Sequence, residues 1–434
     1  MSDKTPTHWL TTTLGDVTNW MSGGTPSKSN PDFWGGTIPW LSAKSIKSFY
    51  LHDSEDRVTE AAIAGGVRLA VPGDILMLVR GMTLHNDVPM GIATRPMTFN
   101  QDVKGIRGAN GADTRFTAYW LLAHKAQLLA AVDQASHGTG RLQTDVLHAM
   151  ELRLPPLPVQ RAIAGVLGAL DDKIEQNRRT ARALERLARA LFRAWFVDFE
   201  PVKVRAAGAA SFPSMPQPVF DALPTRFVDS ATGPVPEGWK VKAIGDVVSA
   251  KGGGTPSTKN PEYWAGGEHC WATPKDLSRL SHPVLLNTER RITDAGVSSI
   301  SSGILPVGTV LMSSRAPVGY LAIAGVPIAI NQGFIAMVCD GPLPPTYVLN
   351  WAVASMDAIK AHASGTTFPE ISKKNFRPLP VVVATPEVIA AYQQTADSLF
   401  NALTSCVKES ERLAQVRDFL LPQLLSGAVR ADCD

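Results

Sequence analysis

Two long stretches of the chain place apolar residues at a helical period. Each follows a region where apolar runs are short and broken by Gly, Pro, Thr and Ser. From Val159 to about Val197 there is no proline, and apolar residues fall at Ile163, Leu167, Leu170, Ile174, Ala181, Leu184, Ala188, Leu191 and Trp195. With Asn177 in the remaining slot, the spacing alternates four and three, which is a heptad seam. The stretch from Pro386 to about Leu421 gives Ile389, Tyr392, Ala396, Leu399, Leu403, Cys406, Leu413 and Leu420 on the same register. Pro386 suits a first helical turn, and Pro422 with Gly427 should close the helix. At ~1.5 Å per residue each helix runs roughly 55 Å. The seams are narrow and sustained, which favours pairing of the two helices over packing of each on its own domain. Asn177 within the seam would fix register at some cost in stability.

The remaining sequence predicts mixed α and β. Val71-Pro72-Gly73-Asp74 ahead of Ile75 to Val79 reads as a turn feeding a buried strand, and 116–131 reads as helix. An internal duplication organises these regions. Trp9 and Gly15-Asp16-Val17 recur as Trp239 and Gly245-Asp246-Val247, and Gly23-Gly24-Thr25-Pro26-Ser27 recurs as Gly253-Gly254-Thr255-Pro256-Ser257. Asn30-Pro31, Trp34, Trp40 and Lys44 match Asn260-Pro261, Trp264, Trp271 and Lys275. Gly73, Arg80, Asn100-Gln101 and Gly138-Thr139 match Gly308, Arg315, Asn331-Gln332 and Gly365-Thr366. Asp198 to Glu237 holds seven prolines and the small residues Ala206 to Ala210, the composition of a linker.

The expected fold class is therefore α+β, with two duplicated mixed α/β domains joined by two long helices. The expected divisions are 1–157 (first globular domain), 158–197 (first helix), 198–237 (linker), 238–385 (second globular domain), 386–425 (second helix) and 426–434 (tail). A two-fold duplication that pairs its helices about the repeat axis makes them an antiparallel coiled coil. The linker could span a parallel arrangement, so its length does not decide between the two.

Composition narrows the chemistry. Apolar residues make up 44% of 434, enough for sizeable cores. The polar start Met1-Ser2-Asp3-Lys4 and the lack of an 18-residue apolar run give no sign of a secretory leader or a membrane span. Four widely spaced cysteines without a CxxC pair argue against a disulfide framework or structural zinc, so a reducing, cytoplasmic setting is expected. Asn30-Pro31-Asp32-Phe33 and Asn260-Pro261-Glu262-Tyr263 resemble an amino-methyltransferase signature. An acid replaces the second proline, the motif occurs twice, and no cofactor-binding turn lies upstream, so a structural turn is favoured. Lys251 to Lys259 fails as a phosphate loop because Thr258, not Gly, precedes the lysine. No metal-ligand spacing or nucleophile elbow is present, and no cofactor is expected.

What remains are polar loops. Thr25, Ser27 and Lys28, with Thr255, Ser257 and Lys259, combine hydroxyls, glycines and a lysine. They suit either phosphate contact or a tight turn. Lys44 and Lys275 follow the repeated Trp. Arg80, Arg315, Gln101 and Gln332 have the side chains that read guanine and adenine, with core-edge ion pairs and loop-capping amides as the alternative. Thr139, Arg141, Thr366, Lys373 and Lys374 lie in a further polar stretch of each half.

This layout resembles the specificity subunits of type I restriction–modification enzymes. The likeness rests on the repeated GGTPS, the NPxxW with its following Trp, and the Pro-rich entry to each helix. It rests also on the closing segments Leu191-Phe192-Arg193-Ala194-Trp195-Phe196-Val197-Asp198-Phe199 and Leu421-Pro422-Gln423-Leu424-Leu425-Ser426-Gly427. It implies two target recognition domains reading a split double-stranded DNA site. The paired helices would act as ruler and as docking surface for two methylation subunits, with ATP-dependent restriction subunits joining that core. It also implies no catalytic residues in this chain and no membrane partner. Glu-Gln often follows the Pro-rich stretch in that family, whereas Val159-Gln160 and Thr385-Pro386-Glu387 stand here.

The formal net charge of +3 is unevenly spread. Residues 1–157 carry 14 basic and 14 acidic side chains, while residues 158–197 carry 8 and 4. A neutral first domain predicts weak DNA binding by the chain alone, with partners supplying much of the electrostatic grip. Arg178, Arg182, Arg186, Arg189 and Arg193 form a stripe beside the first seam. Acids of the partner helix such as Glu409 and Glu411, or the phosphates of spacer DNA, are the two readings of it.

Overall fold

A computed structural model describes residues 9–134, 138–365 and 369–431. The chain divides into two compact units, one made of residues up to Gln176 together with those from Glu409 onward, the other of Asn177–Lys408. Both long helices are continuous, Leu157–Phe196 and Pro386–Leu425, and each contributes residues to both units.

The first unit is built on a five-stranded sheet in the order Thr18–Ser22, Val103–Gly108, Ile75–Leu78, Met90–Ala93, Tyr50–Leu51. Its first three junctions are antiparallel and its last is parallel. Ile75–Leu78 is buried throughout, as a continuous apolar run in a central strand requires. The turn before it uses Gly73 at φ +97°, where a side chain would be strained. The second unit repeats the sheet with Ser249–Lys251, Phe334–Val338, Val310–Ser313, Leu321–Ala324 and Val284–Leu285, in the same order and senses. Gly308 takes the place of Gly73 at φ +89°.

A smaller sheet also recurs. In the first unit the Trp-bearing strand Trp34–Leu41 runs parallel to Met97–Phe99, which leads directly into Asn100-Gln101. In the second, His269–Ala272 runs parallel to Ile328–Ile330, which leads into Asn331-Gln332. A ladder of Leu10–Thr13 with Glu151–Leu154 closes the first globular part just ahead of its long helix. Lys240–Ala243 with Pro380–Val383 does so in the second.

The helices pair antiparallel. In the first unit Ile163 and Leu167 share a core with Leu421 and Leu424, and Asp171 bonds Arg417. In the second, Ala181 clusters with Leu403 and Val407, and Leu191, Phe192 and Trp195 with Ile389, Tyr392 and Ala396. Numbers rise along one helix as they fall along its partner. Ile163, Leu167, Ile174, Leu191, Ile389 and Leu403 are buried as the heptad pattern predicts, and so is Asn177, only 3% exposed. Leu170, Leu184, Leu399, Leu413 and Leu420 are half-buried. Toward its end the second helix turns Leu421 and Leu424 inward instead, because there it packs on the globular core as well as on its partner.

Several expectations change in detail. The first helix starts at Leu157, with Pro158 in the first turn where its missing N–H costs nothing. Pro422 does not end the second helix but lies within its last turn. Burial of Leu421 and Leu424 outweighs the one backbone bond lost, and the helix closes at Gly427, φ +73°. The region 116–131 is two helices, Thr114–Ala123 and Lys125–Ala130, meeting at His124.

The Pro-rich segment 198–237 is not an open linker. It carries helices Glu200–Ala206 and Gln217–Asp221 and a ladder of Phe227–Val228 with Val235–Pro236. Val202, Met215, Phe220, Leu223 and Val235 enter the core of the second unit. Two of its prolines, Pro201 and Pro218, sit in first helical turns, a position where proline starts structure rather than interrupting it.

Candidate nucleic-acid interface

The repeated GGTPS segment is a pinned loop in both units. Trp40 Nε1 donates to Gly24 O at 3.0 Å and Trp34 Nε1 to Ser27 O at 3.1 Å. Trp271 Nε1 donates to Gly254 O at 3.1 Å and Trp264 Nε1 to Ser257 O at 3.0 Å. The two indoles meet edge to face at 5.3 Å in one copy and 5.1 Å in the other. Gly23 and Gly253 permit the close approach, since a Cβ at either would lie within 2.5 Å of a backbone carbonyl. The Asn-Pro motif caps the short turn that follows. Asn30 Oδ1 accepts from Asp32 N and Asn260 Oδ1 from Glu262 N, at 3.0 and 3.1 Å. These are structural turns, as favoured over a methyl-transfer motif.

With the backbone held, Pro26 and Pro256 are buried while Thr25, Ser27, Lys28, Thr255, Ser257 and Lys259 are exposed. Thr25 Oγ1 donates to Gln101 Oε1 at 2.7 Å, and Thr255 Oγ1 to Gln332 Oε1 at 2.6 Å. Residues some 76 positions apart thus form the same pair twice. Each glutamine keeps its amide N–H groups without a partner among the described residues.

The turn carrying the glutamine abuts the strand carrying the arginine. Val79 N and Arg80 N both donate to Asp102 O, at 2.8 and 3.3 Å, and Ser314 N donates to Gly333 O at 2.8 Å. Arg80 then stands directly across the ladder from Arg141, and Gly81 from Gly140. In the second unit Arg315 stands across from Glu370. Lys373 and Lys374 open the short helix that follows, capped by Ser372, and are exposed. Thr25, Gln101, Arg80 and Arg141 therefore lie on one continuous ridge of the first unit, with Thr139 in the loop leading to Arg141. Thr255, Gln332 and Arg315 form the matching ridge of the second.

Other candidates fit less well. Lys275 pairs with Glu289 at 3.0 Å, and Arg279 shares that carboxylate at 2.7 Å. The two cations hold the exposed Glu289 carboxyl below its ordinary range, the Lys275 hydrogen bond contributing most. Lys44 is exposed, three residues beyond Leu41, whose carbonyl accepts from Asn100 N. Thr366 lies outside the described residues, as does part of the stretch from Ser136 to Arg141.

The sequence offered no sign of Arg290. Its guanidinium lies over the Trp264 ring at 3.5 Å, placing a cation against the residue that holds Ser257. Only the fold brings these positions together. Within the arginine stripe of the first helix, Arg189 pairs with Glu185 one turn away and Arg193 with Asp198 at 2.9 Å, both acids near in sequence.

In the first unit the globular part is tied to the helices by charge. Asp171, 4% exposed, accepts from Tyr119 OH at 2.8 Å and from Arg417 Nη1 at 2.6 Å. Asp172 accepts from Tyr50 OH at 2.6 Å and Arg115 Nη2 at 3.0 Å. Burial, reinforced by the neighbouring aspartates, pushes both tyrosine hydroxyls well above their ordinary range, so both stay protonated donors. Glu175 meets His52 Nε2 at 3.1 Å. In the second unit the same joint is aromatic. Phe192, Trp195, Phe196, Tyr347 and Tyr392 meet at centroid distances of 4.7 to 6.1 Å.

Comparison with known proteins points one way. A family model described as "Type I restriction modification DNA specificity domain" matches residues 6–186 and again 236–411. The chain is 24% identical over 445 residues to the MjaIX type I restriction enzyme specificity subunit of Methanocaldococcus jannaschii, covering 99% of this chain and 95% of that one. It is 26% identical over 325 residues to the HindI specificity subunit of Haemophilus influenzae, covering 66% and 70%. The crystal structure of a type I restriction–modification S subunit from M. genitalium shares the fold, with TM-score 0.57, 13% identity and coverage of 98% and 97%.

Proposed function

The chain belongs to the type I restriction–modification DNA specificity family, and from that premise we propose that each of its two units reads one half of a split double-stranded DNA site. The observation that carries this is the recurrence of the hydroxyl–glutamine–arginine ridge in both units, held on the same sheet by the same tryptophan-pinned loop. Amide and guanidinium donors on a rigid support, exposed at Gln101, Gln332 and Arg80 and half-buried at Arg315, are what base edges and phosphates require. The chain acts as the recognition component, while methylation and cleavage belong to other subunits. Two methylation subunits dock on the paired helices, restriction subunits add to that complex, and the assembly works in the cytoplasm. Val416 and Phe419, 46% and 68% exposed one turn apart on the second helix, supply an apolar patch suited to covering by a docked methylation subunit.

The test is co-expression with the methylation subunits followed by mapping of methylated adenines. The expected result is a bipartite motif in which Gln101→Ala alters only one half and Gln332→Ala only the other. A motif that is undivided, or that both variants leave unchanged, contradicts the reading. Phe419→Asp should weaken co-purification of methylation subunits without altering the melting temperature of the chain; unchanged co-purification removes that patch from the docking surface.

A further inference from the structure

Building on the recognition reading, we propose that Arg80 and Arg141 form a clamp for one backbone phosphate of the DNA bound by the first unit. Among the described residues the second unit shows no such opposed pair, so the two half-sites are gripped unequally.

The clamp follows from strand register. Arg80 and Arg141 are directly opposed on antiparallel strands, which puts both side chains on one face, and both are exposed. Like charges at such a position are destabilising. No carboxylate lies within ion-pair distance of either guanidinium among the described residues, although two acids are near. Asp133 stands across from Arg141 on the far side, but its Oδ2 accepts from Gln143 Nε2 at 2.5 Å. Asp102, whose carbonyl receives Arg80 N, turns its carboxylate to Asn100 Nδ2 at 3.1 Å. Each neighbouring acid is thus engaged by an amide rather than by a guanidinium, and the cross-strand row of Asp133, Arg141 and Arg80 keeps a net positive charge and a direct Arg–Arg repulsion.

A phosphate between them relieves it, since each guanidinium offers a fork of donors to an anionic oxygen pair. A base edge is the poorer fit. Guanine is read by a single arginine, and a neutral edge does not offset a second cation. In the second unit the same register places Glu370 across from Arg315 and Ser364 across from Glu370. There the acid stands where Arg141 stands in the first unit, so that position already carries a charge of opposite sign.

The experiment uses the assembled complex with methylation subunits. It measures salt-dependent binding to a duplex carrying the mapped methylation site and to a scrambled duplex. For Arg80→Gln and Arg141→Gln we expect affinity to fall roughly 10-fold on both duplexes alike, with the log–log salt slope reduced by about 1. Arg80→Lys should retain most of the slope. Glu370→Arg, which copies the pair into the second unit, should steepen it by about 1. Relaxed methylation at a single base pair with an unchanged slope would show the arginines reading a base, and unchanged binding would show no DNA contact; either overturns the clamp alone. A wild-type complex that does not prefer its own site would defeat the recognition reading as well.

Discussion

The two joints between globular part and helix pair show one duplicated sequence meeting the same demand by different physics. In the first unit the apolar core that Ile163, Leu167, Leu421 and Leu424 share with the globular part is supplemented by charge-assisted hydrogen bonds from Tyr119, Arg417, Tyr50 and Arg115 to two adjacent aspartates. In the second the joint is made chiefly of edge-to-face and tilted rings, with Thr346 Oγ1 also donating to Asp397 at 2.8 Å. There the indole N–H groups of Trp195 and Trp239 are buried without a partner among the described residues, a cost the aromatic area offsets. Directional bonds fix an angle and fail when one partner is lost, whereas ring packing depends on volume. Repeats that diverge in sequence can therefore keep the geometry and exchange the force that holds it.

The largest effect should come from removing volume in the second joint. Phe196→Ala, a buried ring within 5.0 Å of the Tyr347 and Tyr392 centroids, should cost about 3–5 kcal/mol in denaturant unfolding. Hydrogen exchange should rise in Asn177–Lys408 and leave the first unit protected. In the first joint Asp171→Ala leaves Arg417 and Tyr119 without their carboxylate and should cost about 3 kcal/mol. Its exchange signature should be confined to the first unit. Asp171→Leu combined with Arg417→Met should recover much of that loss, because a packed apolar pair removes the stranded charge. If the double variant is no better than the single, the joint depends on the ions themselves.

Tyr392→Phe removes the bond from Asn350 Nδ2 at 3.1 Å and keeps the ring, so about 1 kcal/mol is expected. The smallest effect concerns pH. Burial, more than any other influence, holds the His282 imidazole below its ordinary value of 6.5 in the second unit. A lowered folded-state pKa contributes stability that is present above pH 6.5 and is lost as pH falls through the folded value. His282→Gln should flatten that acid limb in thermal melts, and an unchanged limb would place its origin elsewhere.

The heptads, the duplication and the recurring Asn-Gln pairs are legible in the chain because each is written in its spacing. Asn177 was placed in the seam by period alone and is buried there. The pair of Asp171 with Arg417 was not legible, because 246 residues separate them and neither stands out in its own segment. Arg290 on Trp264 escaped for the same reason. The repeated tryptophans were visible as landmarks, but their N–H groups pinning the loop could be seen only in three dimensions. Segment 198–237 reads as a linker from its prolines, whereas Val202, Phe220 and Val235 between them supply core.

Leu421, Leu424 and Arg417 complete the first unit from the far end of the second helix. During synthesis the residues up to Gln176 leave the ribosome before Asn177–Lys408, yet the first unit cannot finish until those from Glu409 onward have followed. Until then Ile163 and Leu167 lack their helical neighbours, and Asp171 lacks its cation. The second unit, Asn177–Lys408, is contiguous in sequence and has no such wait. Maturation therefore runs against the order of translation. A message truncated ahead of residue 409 would release a folded second unit beside an unfinished first one.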